Sequence, residues 1–123
     1  MATLTFGDFF KEKRIAAGLT LRKFCETYHF DPGNVSRWER NLLPPPKAED
    51  SLRSIAVALQ LEEESEEWYL FFDLAAATNG LLPADLRANA KIVARMPLVF
   101  RTLRGEPLTE EKLRDLYRVI EEG

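Results

Sequence analysis

The sequence predicts an all-α fold, and three of its features lead to that prediction. Apolar residues recur at the i, i+3, i+4, i+7 spacing of an amphipathic helix in nearly every segment. Residue types that cap helices stand at the ends of these segments. No segment shows the alternation of a β-strand, an internal repeat or low complexity. The length of 123 residues predicts one domain with a short extension.

The first two predicted helices are each marked by a cap and by an apolar face. Gly18 ends the first helix as a left-handed residue, and Thr20 opens the second as its N-cap. Apolar residues at helical spacing form their inward faces: Phe6, Phe9, Phe10 and Ala17 in the first helix, and Leu21, Phe24, Cys25 and Tyr28 in the second.

The third helix begins at a strong start signal. Asp31 is an N-cap carboxylate, and the proline after it takes the first helical position. The helix runs to about Arg40, and Val35 and Trp38 face inward. Residues 41–46 contain three consecutive prolines and are predicted to be a stiff connector.

Two further helices follow the connector. Ser65 caps the fifth helix, which ends near Asn79. Because apolar residues surround the axis of this fifth helix, we expect it to be covered on more than one side. The fourth helix is predicted from its apolar stripe, which consists of Leu52, Ile55, Ala56 and Leu59.

The last third of the chain is predicted to be a helical extension. A short helix follows Pro83 and runs through Val93. Pro97 then restarts a helix that Gly105 ends, and Thr109 caps a last helix. The sequence therefore divides into a domain over residues 1–80 and an extension over residues 81–123.

Composition excludes several classes of protein. One cysteine and one histidine allow neither an intramolecular disulfide nor a Cys/His zinc site, so no metal and no cofactor are expected. No glycine-rich phosphate loop and no set of nucleophile and base indicates an enzyme. No apolar run approaches the about 20 residues of a membrane span, and no signal peptide is apparent. We expect a cytoplasmic protein that does not enter membranes.

The charge is divided unevenly along the chain. The net charge is −3, yet residues 1–60 hold 9 Lys and Arg against 7 Asp and Glu, whereas residues 61–123 hold 8 against 13. Because DNA affinity depends on local cations rather than on the sum, this balance does not exclude nucleic acid. The acidic half would suit a basic partner, or would only maintain solubility.

The third helix carries a polar and cationic stripe opposite its inward face. Two short helices joined by a tight turn, with such a stripe on the second, are the outline of a helix-turn-helix. Arg37 would donate to the O6 and N7 atoms of guanine, and Asn34 would reach an adenine edge or a phosphate. The positive end of the helix also favours a phosphate. The candidate base-reading residues are Gly33, Asn34, Ser36 and Arg37, and the candidate phosphate contacts are Arg22, Lys23, Arg40, Lys47 and Arg53.

Three segments together resemble one known family. They are Lys13–Thr20, Phe24-Cys25 and Val35–Asn41, and they are similar to the XRE family, the lambda and 434 repressor type of helix-turn-helix. The resemblance covers about residues 5–75 and implies a five-helix DNA-binding domain. It also implies a structural salt bridge between Arg14 on the first helix and Glu39 on the third.

The sequence departs from the family pattern at three places. Leu21 stands where relatives often have a DNA-contacting glutamine, and His29 replaces the usual glycine of the turn. Pro32 and Gly33 stand where many relatives place polar base-reading side chains. These departures imply modest base readout or readout of DNA shape. Cys25 is expected to be an inert core residue, with redox sensing as the alternative.

The extension leaves two functions open. The resemblance implies a transcriptional regulator, a repressor that binds double-stranded operator DNA as a homodimer. Similar proteins with a short helical extension are antitoxins, which bind a toxin and repress their own operon. The candidate dimer or partner residues are Phe100, Leu103, Leu113, Leu116, Tyr117 and Ile120, and they would otherwise only complete the monomer's core.

Overall fold

The structure is a computed structural model that describes residues 4–105 and four later positions, Glu110, Glu111, Arg114 and Arg118. No strand occurs among these residues, so the predicted all-α class is confirmed. Seven helices lie between Phe6 and Gly105: α1 (Phe6–Ala16), α2 (Leu21–Tyr28), α3 (Pro32–Glu39), α4 (Glu49–Ala58), α5 (Glu66–Thr78), α6 (Ala84–Arg87) and α7 (Ala90–Gly105).

The chain divides into two compact units, and the boundary between them follows Pro83. The first unit contains α1 to α5, and its core is a cluster rich in aromatic residues. The second unit begins with α6 and α7, which pack against each other. The boundary expected from the sequence is residue 80.

Side-chain caps start α2, α3 and α5 where the sequence predicts them. The hydroxyl of Thr20 accepts a hydrogen bond from the Lys23 amide at 3.1 Å, which begins α2. The hydroxyl of Ser65 accepts from the Trp68 amide at 3.2 Å and begins α5. Gly18 follows α1 with a φ of 77°, the left-handed conformation expected of a residue that ends a helix.

The core of the first unit is built around α1, which packs on α3 and α5. Phe10 is fully buried, and its ring contacts Phe24 of α2 edge-on at 5.4 Å between centroids and Trp38 of α3 at 6.0 Å. Phe6 contacts Phe71 of α5 at 5.4 Å. One helix therefore joins both halves of the core, which holds α2 and α3 in a fixed position.

The fifth helix is covered on one broad side, not on more than one as expected, because its buried residues and Phe72 keep the i, i+3, i+4, i+7 spacing of a single stripe from Trp68 to Ala75. Trp68 and Phe71 are buried in the core, and Phe72 is half-buried. Tyr69 and Leu70 on another side of the helix remain exposed.

The second unit corrects the predicted helix boundaries. The first break falls after Arg87, not after Val93, because the Asn89 side chain accepts hydrogen bonds from the amides of Lys91 and Ile92 and so begins α7. Helix α7 then continues through Pro97, where a new helix was expected.

The last predicted helix lies mostly outside the described residues. Its cap, Thr109, is among the positions that the structure does not describe. The four described positions after Gly105 are helical, and Arg114 forms an ion pair with Glu110 one turn earlier at 3.8 Å.

Candidate nucleic-acid interface

A three-residue turn joins α2 to α3 and fixes which face of α3 is exposed. The turn opens at His29, whose φ of 61° lies in the left-handed region that favours glycine. The amide of Phe30 donates to the Cys25 carbonyl, which closes the end of α2. Val35 is fully buried and Trp38 nearly so, so the opposite side of α3 faces solvent.

The Arg37 side chain lies along this exposed side of α3 and is held there by Asn34. Its Nη2 atom donates a hydrogen bond to Asn34 Oδ1 at 2.8 Å. Gly33, one turn before Arg37, has no side chain, and a Cβ atom there would lie 3.5 Å from Arg37 Nη2. The structure thus brings three of the four candidate base-reading residues into one cluster.

Ser36 and Arg40 complete the candidate face. Arg40 is exposed, and its Nε atom donates to the Ser36 carbonyl at 3.3 Å, so its side chain follows the helix back toward Ser36. Ser36 itself is half-buried. The face therefore presents two guanidinium groups, at Arg37 and Arg40, beside short side chains.

The N-terminus of α3 is already occupied by a carboxylate. Asp31 Oδ2 accepts the hydrogen bond of the Asn34 amide at 2.9 Å. This carboxylate satisfies an amide that a phosphate would otherwise use, and its negative charge would repel one. The cap therefore weakens the expected attraction of this helix end for a phosphate, and the predicted Asp31 cap is confirmed.

The five candidate phosphate contacts differ in their exposure and in how closely carboxylates of the protein approach their charges. Lys23 in the first turn of α2 and Lys47 before α4 are exposed. Arg22 is 90% exposed and lies 3.6 Å from Glu26, a weak contact at the surface. Arg40 belongs to the α3 face described above.

Arg53 differs from the other four because its charge is offset by neighbours. Its guanidinium lies 3.8 Å from the carboxylate of Glu49 and 3.6 Å from that of Glu63, and 5.9 Å from the centre of the Trp68 ring. These contacts connect α4 with α5. We therefore assign Arg53 a structural role in preference to a DNA contact.

The ion pair between Arg14 and Glu39 is present and buried. Arg14 Nε and Nη2 donate to the two carboxylate oxygens of Glu39 at 2.7 and 2.9 Å, and both side chains are less than 10% exposed. Arg14 Nη1 donates to the Leu19 carbonyl at 2.8 Å. The hydrogen bonds with Glu39 raise the pKa of Arg14 above its ordinary value. The pair joins α1 to α3 and stands apart from the exposed face of α3.

Cys25 is buried in the core of the first unit and is 4% exposed. Burial raises the pKa of its thiol, with the carboxylates of Glu39 and Asp31 adding to the effect, which lowers the fraction of reactive thiolate. The described residues contain no group of His, Cys, Asp and Glu that could hold a metal ion.

Two residues that join α1 to the end of α3 escaped the sequence reasoning. Asn41 has a φ of 58°, and its Oδ1 atom accepts from the Gly7 amide at 3.1 Å, while its Nδ2 atom donates to Thr5 Oγ1 at 3.1 Å. Gly7 itself is buried, and a Cβ atom on it would clash with the Trp38 carbonyl. An asparagine directly after a helix was the available signal, because asparagine tolerates the left-handed conformation.

The units divide the charge differently from the two halves of the sequence. Residues 61–83 hold six carboxylates and no Lys or Arg, and they belong to the first unit. Residues 84–105 of the second unit hold five Lys and Arg against one Asp. The acidic character of the second half of the sequence therefore does not extend to α6 and α7, which together carry more Lys and Arg than Asp and Glu.

The described part of the extension exposes apolar side chains. Phe100 is 46% exposed and Leu103 49%, and Val93 and Leu98 of the same helix are also exposed. Val99 is buried. The other candidate partner residues, Leu113, Leu116, Tyr117 and Ile120, lie outside the described residues.

Among the described residues, no helix is long and apolar enough to cross a membrane. Comparisons of the chain with known protein families, with curated proteins and with solved structures found no match.

Proposed function

We propose that the first unit is an XRE-type helix-turn-helix domain that binds double-stranded DNA sequence-specifically through the exposed face of α3. The observation that carries this proposal is the cluster of Gly33, Asn34 and Arg37, which holds a guanidinium on the solvent side of a short helix. Two further features support it: the tight turn after α2 and the buried Arg14–Glu39 pair. Both follow the pattern of the family that the sequence resembles.

The dimensions of α3 suit the major groove. An α-helix with its side chains is about 10–12 Å in diameter, close to the width of that groove, about 12 Å. The apolar side chains of α3, Val35 and Trp38, are buried and Gly33 has no side chain, so the backbone at Gly33 can approach base edges closely. Arg37, one turn from the helix start, is then within reach of a base.

Phosphate contacts would supply most of the affinity. The exposed cations of the α2–α4 region that would contact phosphates are Arg22, Lys23, Arg40 and Lys47. Residues 21–58 hold six Lys and Arg against five Asp and Glu, and Arg14 offsets the charge of one of the five, Glu39. The local balance therefore favours DNA, although the first unit as a whole carries more Asp and Glu than Lys and Arg.

We further propose that the protein is a transcriptional repressor that acts as a homodimer. A single domain of this size covers one half-site, and two copies related by a twofold axis would cover a palindromic operator. The exposed Phe100 and Leu103 of α7 are the apolar residues that such an interface would bury.

An antitoxin is the second candidate function, and the same residues favour it. A protein partner would cover the apolar side chains of α7 equally well, and the cations at Arg101 and Arg104 would select an acidic partner surface. A small acidic protein encoded by the neighbouring gene that forms a stable complex with this chain would support the antitoxin.

The proposal is tested by DNA binding across salt concentrations. We expect the protein to bind DNA from upstream of its own gene more tightly than random DNA of equal length, with affinity falling steeply as salt rises. Arg37→Ala should remove that preference, and Lys11→Ala, a charge-matched change on the exposed side of α1, should preserve it. Equal binding to both DNAs by the unmodified protein would contradict the proposal.

A further inference from the structure

We propose that Arg37 recognises a guanine, and that Asn34 acts as a positioning residue for Arg37 instead of reading an adenine. This inference rests on the proposed DNA-binding function and names the base that the face of α3 selects. It comes from the donor and acceptor atoms of the Asn34–Arg37 hydrogen bond. The identities of the two residues alone do not reveal which atoms form this bond.

The hydrogen bond limits the freedom of the Arg37 side chain before DNA arrives. A free exposed arginine loses rotamer entropy when it is immobilised at an interface. Here the Nη2 atom is already held 2.8 Å from Asn34 Oδ1, three residues earlier on the same face. The planar group keeps four further N–H donors, enough for the pair of parallel hydrogen bonds that guanine O6 and N7 accept.

The same bond works against Asn34 as a reader of adenine. An asparagine recognises adenine with both ends of its amide, because Oδ1 must accept from N6 while Nδ2 donates to N7. In this structure the Oδ1 atom of Asn34 accepts from Arg37, so one of its two lone pairs is taken and Arg37, not a base, sets the orientation of the amide. In that orientation the Nδ2 donors suit an acceptor such as a neighbouring guanine, thymine O4 or phosphate oxygen.

Gly33 leaves the space in which this arrangement forms. A Cβ atom at this position would lie 3.1 Å from Asp31 Oδ2, tighter than an ordinary contact, and 3.5 and 3.7 Å from the two terminal nitrogens of Arg37. The distances to Arg37 are ordinary van der Waals contacts, so the close approach at Gly33 is to Asp31. Gly33 leaves open space beside the guanidinium, and the Asn34 carbonyl oxygen sets its position.

The test begins with DNA sites selected from a random library by the full-length protein. We expect a guanine in each half-site whose replacement by 7-deazaguanine, which lacks the N7 acceptor, weakens binding about tenfold. The same replacement should have no effect on Arg37→Ala. If 7-deazaguanine weakens the binding of Arg37→Ala as much as that of the unmodified protein, Arg37 does not recognise that guanine.

Variants at position 34 separate positioning from direct reading. Asn34→Ala should lower the preference for guanine over adenine at that position about two- to tenfold, while binding to random DNA stays unchanged. Asn34→Asp keeps an acceptor for Arg37 and should restore the preference, although its charge weakens overall affinity. If Asn34→Ala keeps the full guanine preference, or if the loss falls on an adenine, the inference is wrong. If the unmodified protein selects no sequence at all, the proposed function fails with it, so the two failures are distinguishable.

Discussion

Arg14 and Glu39 show how one residue pair fixes the position of α3. Both charges are withdrawn from water, and the pair is bidentate, with a third hydrogen bond to the Leu19 carbonyl. Such a pair adds little net stability compared with apolar residues, but the loss of one partner leaves the other charge buried and uncompensated. The main effect of the pair is therefore to fix the position of α3, because it joins α1 to the last turn of α3.

Replacement of Arg14 by alanine should lower the free energy of unfolding by about 3–5 kcal/mol, because Glu39 would remain buried without a partner. Urea unfolding followed by tryptophan fluorescence measures the change. Lys13→Ala is the matched control, since Lys13 pairs with a Glu67 that is 58% exposed, and its loss should cost less than about 1 kcal/mol. Similar losses in the two variants would contradict this account.

The limits of sequence reasoning are also clear at the residue scale. The resemblance implied the Arg14–Glu39 pair, and helical spacing placed Gly33, Ser36, Arg37 and Arg40 on one face of α3. Spacing specifies a helix face but not the rotamers on it, so the hydrogen bond between Asn34 and Arg37 could not be predicted. The neutralisation of Arg53 depends on Glu63, which lies in the loop before α5, and such contacts depend on the tertiary fold.

At the scale of elements, the packing of α1 against α3 depends on Gly7. The end of α3 approaches the first turn of α1 so closely that the buried Gly7 leaves no room for a Cβ atom beside the backbone of α3. Asn41 closes the same contact with its hydrogen bond to the Gly7 amide. Sequence periodicity reports apolar side chains, so a contact made by backbone and by a missing side chain escapes it.

Gly7→Ala should therefore destabilise the first unit by about 3 kcal/mol or more. The new Cβ atom would lie 2.7 Å from Asn41 Oδ1 and from the Glu39 carbonyl, and the backbone carbonyl cannot move without shifting α3. Thermal unfolding followed by circular dichroism measures the effect. Gly105→Ala has no heavy atom within 4 Å of the new Cβ and serves as the control. A Gly7→Ala protein that melts like the control would show that the α1–α3 contact is looser than described.

Helices α6 and α7 show why element boundaries are harder to predict than element types. Proline usually ends a helix, so Pro97 was expected to separate two helices, yet α7 continues through it. The actual start of α7 is set by Asn89, whose side chain caps two amides. The cap residue is a more informative start signal here than the proline. The type of structure, helices without strands among the described residues, was predicted correctly.

At the scale of the whole molecule, stability and the proposed functions divide between the two units. The aromatic core lies entirely in the first unit, together with the candidate DNA-binding face. The second unit contributes cationic helices with exposed apolar side chains. The net charge of −3 therefore describes neither unit. The charge of each unit has to be compared with the partner proposed for that unit.

A fragment of residues 1–83 should consequently fold without the second unit, because every residue of the aromatic core lies within it. We expect a cooperative urea transition reported by Trp38 and Trp68, both of which are buried in that core. If α7 forms the homodimer interface, the fragment should be a monomer that binds the operator more weakly but retains the Arg37-dependent preference for its sequence. Sedimentation measures the oligomeric state, and the full-length chain is the control. A fragment without a cooperative transition would show that the core needs the second unit, and one that still dimerises would place the interface on the first.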